Sequence, residues 1–102
     1  MKYLSLDYIK QHSRIDYDCE DDLLELYGDS AEEAMSQILN RGKNADEMVE
    51  DLTAVYGHVP APIIHASLML VASVYKDREK DLVQEAHENP TFGILVKPYM
   101  KL

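Results

Sequence analysis

Between Pro60 and Lys80 the chain carries a segment whose apolar residues leave almost no polar face. Ile63, Ile64, Ala66, Leu68, Met69, Leu70, Val71, Ala72, Val74 and Tyr75 cover nearly the whole circumference of a helix. Such a helix has to be surrounded, by its own domain or by neighbouring subunits. Pro60 and Pro62 suit its first turn, where a missing N–H does no harm. Its longest uninterrupted apolar run, Leu68 to Ala72, is far too short to span a bilayer. A chain of 102 residues supports one modest core, and three other helices would leave this segment incompletely covered. That is a first physical hint of assembly.

The remaining sequence supplies those helices. Only four Gly and four Pro punctuate it, which favours helices over a sheet with many tight turns. Ser5 is placed to cap a short helix from Leu6 to about His12, with Asp7 favourable in the first turn. The stretch from Ser13 to Asp18 breaks it, with Ile15 tucked inward. A long second helix is expected from about Glu20 to Asn40, opened by Glu20, Asp21 and Asp22 and stopped by Gly42 beyond Arg41. Leu23, Leu24, Tyr27, Ala31, Ala34, Met35 and Ile38 form its apolar stripe.

Gly28 sits inside that helix, and Ser30 with Glu33 fits a capping box that would restart it. The stripe keeps its phase across the glycine, so a continuous helix is the reading, at a cost of about 1 kcal/mol against Ala. Asn44 or Ala45 opens a third helix, Asp46 to about Tyr56, bearing Met48, Val49, Leu52 and Val55 and ended by Gly57. After Lys80 the pattern weakens through a loop carrying His87, and Asn89-Pro90 marks a turn. The segment Thr91–Tyr99 is too short and too apolar to stand alone, so Phe92, Ile94, Leu95 and Tyr99 are expected to dock. The fold expected is all-α over a single domain, residues 1–102: a small bundle of about four to five helices around the central apolar one.

Charge is distributed unevenly. The net charge is −9, and residues 1–51 hold fourteen Asp/Glu against five Lys/Arg, whereas residues 52–102 hold five of each. No basic patch of the kind that grips phosphates is visible, so tight nucleic-acid binding is not expected. The lone Cys19 cannot form an internal disulfide, which makes a reducing, cytoplasmic setting the default.

Catalytic patterns are missing one by one. Asp16, Asp18 and Glu20 have the spacing that opens a calcium loop, but Asp21 stands where Gly is needed and Tyr27 where a bidentate Glu is needed. His12, His58, His65 and His87 have no metal-ligand spacing. Acids surround Cys19 and oppose formation of a thiolate, and no Gly-rich phosphate loop is present. No enzyme activity, metal or cofactor is therefore expected. In Tyr75-Lys76-Asp77-Arg78-Glu79, the neighbours Arg78 and Glu79 point about 100° apart on a helix and reach different partners. Arg78 suits a bidentate carboxylate contact.

Taken in order, these pieces resemble the head–tail connector (adaptor) proteins of tailed bacteriophages. The opening phrase is carried by Leu6, Ile9, Lys10, Arg14, Ile15 and Asp16, with Ser13 in place of the usual apolar residue. Asp18, Glu20, Asp21, Asp22, Leu23 and Leu24 match the acidic entry to the long helix. Pro60, Pro62, Ala66, Leu70, Tyr75, Arg78 and Glu79 match the proline-started helix. Pro90, Phe92, Gly93, Leu95, Pro98 and Tyr99 match the closing phrase. Residues 43–58 are the least diagnostic part.

The resemblance implies a helical protomer that forms a homo-oligomeric ring beneath the portal protein. The ring extends the DNA channel and meets the next head-completion or tail protein. It implies a virion component, assembled in the bacterial cytoplasm from a phage or prophage gene, with DNA passing but not held and no membrane involved. Tyr75, Arg78, Glu79, Phe92 and Tyr99 become candidate interface or fold-defining residues. Glu20, Asp21, Asp22, Glu25, Glu32 and Glu33 become a candidate acidic channel or partner face. The alternative reading is a non-enzymatic acidic helical adaptor, or DNA mimic, that occupies the basic groove of a partner.

Overall fold

Local signals set most helix ends in the computed structural model, which describes residues 1–14, 21–76, 84 and 88–100. Helix α1 runs Leu6–Ser13, and Ser5 caps it by accepting the Tyr8 N–H. Helix α2 runs Asp21–Leu39 without a break at Gly28, as the unbroken stripe predicts. Helix α3 is Ala45–Tyr56. Asn44 accepts the Glu47 N–H at its start, and Gly57, in the left-handed conformation, closes it. Helix α4 spans Ala61–Lys76, with the Pro60 carbonyl accepting from the amides of Ile63 and Ile64. Helix α5 is Pro90–Val96, capped by Asn89, and a 3-10 turn, Lys97–Tyr99, follows it. The described residues thus form helices and connecting turns with no strand, the all-α fold expected.

One end differs from expectation. The stop of α2 is not Gly42 but Asn40, which itself takes a positive φ of 54°. The Arg41 N–H then reaches back to the Ser36 carbonyl at 3.2 Å, satisfying a carbonyl that the helix end would otherwise strand. Asn tolerates this conformation because its short polar side chain can bond locally. Gly42 lies one step beyond the stop.

Helix α4 is the axis of the bundle, packing against α1, α2 and α5, while α2 also packs against α1 and α3. Its buried residues, Ile63, Ala66, Ser67, Leu70, Val71 and Val74, follow the 3- and 4-residue steps of a single face. They join Ile9, Leu24, Met35, Leu39, Met48, Leu52, Phe92 and Val96 in one core. Each fully buried Leu, Ile or Phe there stabilises the fold by about 1.5–3 kcal/mol. Ile64, Leu68, Met69, Ala72 and Tyr75 of α4 are half-buried, so the intramolecular cover is better than the sequence suggests. The gap that remains, at Ile64 and Leu68, opens with Tyr8, Ala61 and His65 onto a shallow groove of about 300 Å³.

Gly28 explains how α1 and the N-terminal segment reach α2. A Cβ at this buried position would run into the Met1 sulfur and press on Ile9 Cδ1 at 3.2 Å. The glycine lowers helix propensity by about 1 kcal/mol and in return admits those side chains.

Candidate functional site

Backbone groups of the N-terminal segment converge on one carboxylate. Glu32, only 1% exposed, accepts the N–H groups of Lys2, Tyr3 and Leu4 at 2.7, 3.0 and 2.9 Å. A buried carboxylate is tolerated where hydrogen bonds replace its lost water. Below it, the Tyr3 hydroxyl lies 2.6 Å from Ser67 Oγ, which donates to the Ile63 carbonyl at 2.8 Å. Burial pushes the Tyr3 phenol above its ordinary range, partly offset by the Ser67 bond. The expected acidic face therefore loses Glu32, whose carboxylate points into the protein to hold residues 2–4.

The other acids of that face divide. Asp22, Glu25 and Glu33 are exposed, and Glu33 also accepts the Ala45 N–H at 3.2 Å. Asp21 is half-buried and pairs with Lys10 at 2.7 Å. Glu20 lies outside the described residues. Asp29, which sequence reasoning passed over, joins the exposed stripe and pairs with the Met1 amino group at 2.9 Å. That bond to Asp29 is the main reason the amine is held above its ordinary range, against desolvation.

At the opposite end, Arg41 holds the C-terminal segment. It is 9% exposed; its Nε donates to the Tyr99 carbonyl at 2.6 Å and its Nη1 to Asp51 Oδ2 at 2.5 Å. The Tyr56 ring lies 5.9 Å beneath the guanidinium and meets the Tyr99 ring edge-on at 5.4 Å. Sequence reasoning placed Arg41 only at the end of a helix. Its role needed a residue 58 positions away, and no local pattern signals that.

Of the candidate interface residues, Phe92 is 1% exposed and belongs to the core, while Tyr75 and Tyr99 are half-buried against it. Arg78 and Glu79 lie outside the described residues, as does His87. Ile94, expected to dock onto a surface that the sequence leaves open, does not dock on its own bundle and points outward at 76% exposure. It is the exposed lip of a groove of about 510 Å³, which Ile38, Phe92, Lys97 and Met100 also line. An aliphatic side chain held out beside an apolar groove is the kind of surface that marks an interaction site.

Chemistry of other kinds is thinly represented. Among the described residues no group of three or more His, Cys, Asp or Glu is positioned to hold a metal ion. His12 and His65 meet edge to face with ring centres 6.0 Å apart; desolvation first, then the neighbouring His65, holds His12 below its ordinary value. No helix among the described residues is long and apolar enough to cross a membrane.

A family model described as phage gp6-like head-tail connector protein matches residues 3–98. No curated protein and no solved structure matches the chain.

Proposed function

The chain belongs to the phage gp6-like head-tail connector family, a family of structural virion proteins, and we propose that it assembles as a ring beneath the portal. In that position the ring prolongs the DNA channel and joins the head to the next head-completion or tail protein. The observation that carries the reading is the family match from residue 3 to residue 98, which takes in every described helix. The exposed hydrophobic lip at Ile94 supports it, because a structural joint needs surface reserved for neighbours.

Electrostatics supports the passage of DNA without capture. The exposed acids of α2 and α3, with a net charge of −9, offer phosphates no counter-charge to bind. Mechanism here means geometry: closed contacts between copies, and a wall that does not retain what passes through it. Assembly takes place in the bacterial cytoplasm before the joint becomes part of the virion.

Light scattering on the purified chain, alone and mixed with the portal protein of the same phage genome, tests the proposal. A species of ring size in either condition is expected. A chain that stays monomeric and leaves the portal's mass unchanged would instead favour the acidic adaptor reading.

A further inference from the structure

Of the exposed large apolar side chains, which also include Tyr8, Val55 and Tyr56, Leu26 and Ile94 stand on stretches of opposite charge. Residues 21–33 hold six Asp/Glu and no Lys/Arg, whereas residues 89–102 hold two Lys and no Asp/Glu. The last fourteen residues are thus a positive segment in a strongly acidic chain. Among its described residues each stretch also holds out one aliphatic side chain: Leu26, 57% exposed, and Ile94, 76% exposed.

Around Leu26 stand Asp22 one turn earlier, Glu25 beside it and Asp29 one turn later, all exposed. Next to Ile94, Lys97 lies one turn later and is exposed, with Met100 beyond it. The first patch is an apolar point flanked by the open carboxylates of Asp22 and Glu25 and by Asp29, which is paired with the Met1 amine. The second is an apolar point flanked by positive charge.

One molecule cannot bring these patches together. Ile38, which lines the Ile94 groove, lies twelve residues after Leu26 on the same helix. That spacing places the two about 18 Å apart along α2 and about 120° apart around it. Two different, complementary patches that face different directions on one chain make a heterologous, head-to-tail contact between copies.

We propose that the α5 patch of one copy docks on the α2 patch of the next, with Ile94 against Leu26 and Lys97 among Asp22, Glu25 and Asp29. The inference rests on the ring reading and specifies which surfaces build it. The occupant is a second copy because the segment of opposite sign is carried by the chain itself. The apolar pair supplies the desolvated centre of the contact. Opposed charges at the rim set register and speed encounter, and added salt weakens them.

The contact is tested on the full chain with Cys19→Ser as background. Leu26→Cys and Ile94→Cys are introduced singly and together, folding is checked by circular dichroism, and a short bifunctional maleimide is added. The double variant is expected to give a ladder of covalent multimers, while either single variant, with no thiol across the contact, is expected to stay monomeric. Adding Lys97→Glu should suppress the ladder several-fold, and adding Glu25→Lys to that variant should restore it.

A folded double variant that gives no ladder overturns this contact. So does a ladder that Lys97→Glu leaves undiminished. Rings seen by light scattering without a ladder would leave the ring reading intact and place the contact elsewhere. A ladder with no ring-sized species, with or without portal, would keep the contact and sink the ring.

Discussion

The two ends of the described chain are fastened to the same bundle by different means. At the N-terminal end, three consecutive amides close on a buried Glu32. At the C-terminal end, Arg41 grips the Tyr99 carbonyl and Phe92 fills the core, yet Ile94 and Met100 are held out to solvent. The first end satisfies its polar groups internally. The second is anchored on one side and open on the other, as a segment that must both fold and join would be. The resemblance names Phe92 as a candidate interface residue and passes over Ile94, whereas burial places Phe92 in the core and leaves Ile94 open.

The sharpest way to break this comparison is at the anchors. Phe92→Ala should destabilise the chain by about 3–5 kcal/mol, since it opens a cavity and loosens α5. Urea unfolding would measure it, and a loss under about 1 kcal/mol would mean that the C-terminal segment is not anchored as described. Glu32→Ala should cost about 3 kcal/mol, less than three charged hydrogen bonds would suggest singly, because the released amides can turn to water. Hydrogen exchange at residues 2–4 should accelerate with it; unchanged exchange would show that some other group holds them.

Smaller effects sharpen the contrast. His12 is held below its ordinary 6.5, so between pH 7 and 5 the unfolded chain binds more protons at this site than the folded one. Its contribution is complete above the unfolded value and declines as pH falls through the folded one. Wild type should therefore lose more stability than His12→Gln on acidification, and equal losses would contradict the shift. Ile94→Ser should change stability by under about 0.5 kcal/mol while weakening association of copies. Destabilisation comparable to that of Phe92→Ala would place Ile94 in the fold rather than at a joint.

Much of the architecture was legible because its signals are local. Ser5, Asn44 and Gly57 mark ends through bonds made within a few residues, and the α2 stripe outweighed Gly28. Asn40 was missed as the stop because Gly42, two residues on, is the commoner left-handed residue. The candidate surface was less legible. Glu32 and Glu33 are neighbours of identical chemistry, yet one is buried and the other exposed, and only the position of residues 2–4 decides between them. The outward turn of Ile94 likewise depends on which side of a short helix meets α4. The resemblance names candidate assembly residues by phrase, but the phrase does not separate Phe92, which packs inward, from the open surface next to it.

The most direct measurement is deuterium exchange on the chain when free and when assembled with its portal. New protection should appear at residues 90–100 and 22–30, while residues 2–4, already bonded to Glu32, stay unchanged. Protection confined to α1 and the N-terminal segment, with residues 90–100 exchanging as before, would contradict the assignment of the open end as the joint.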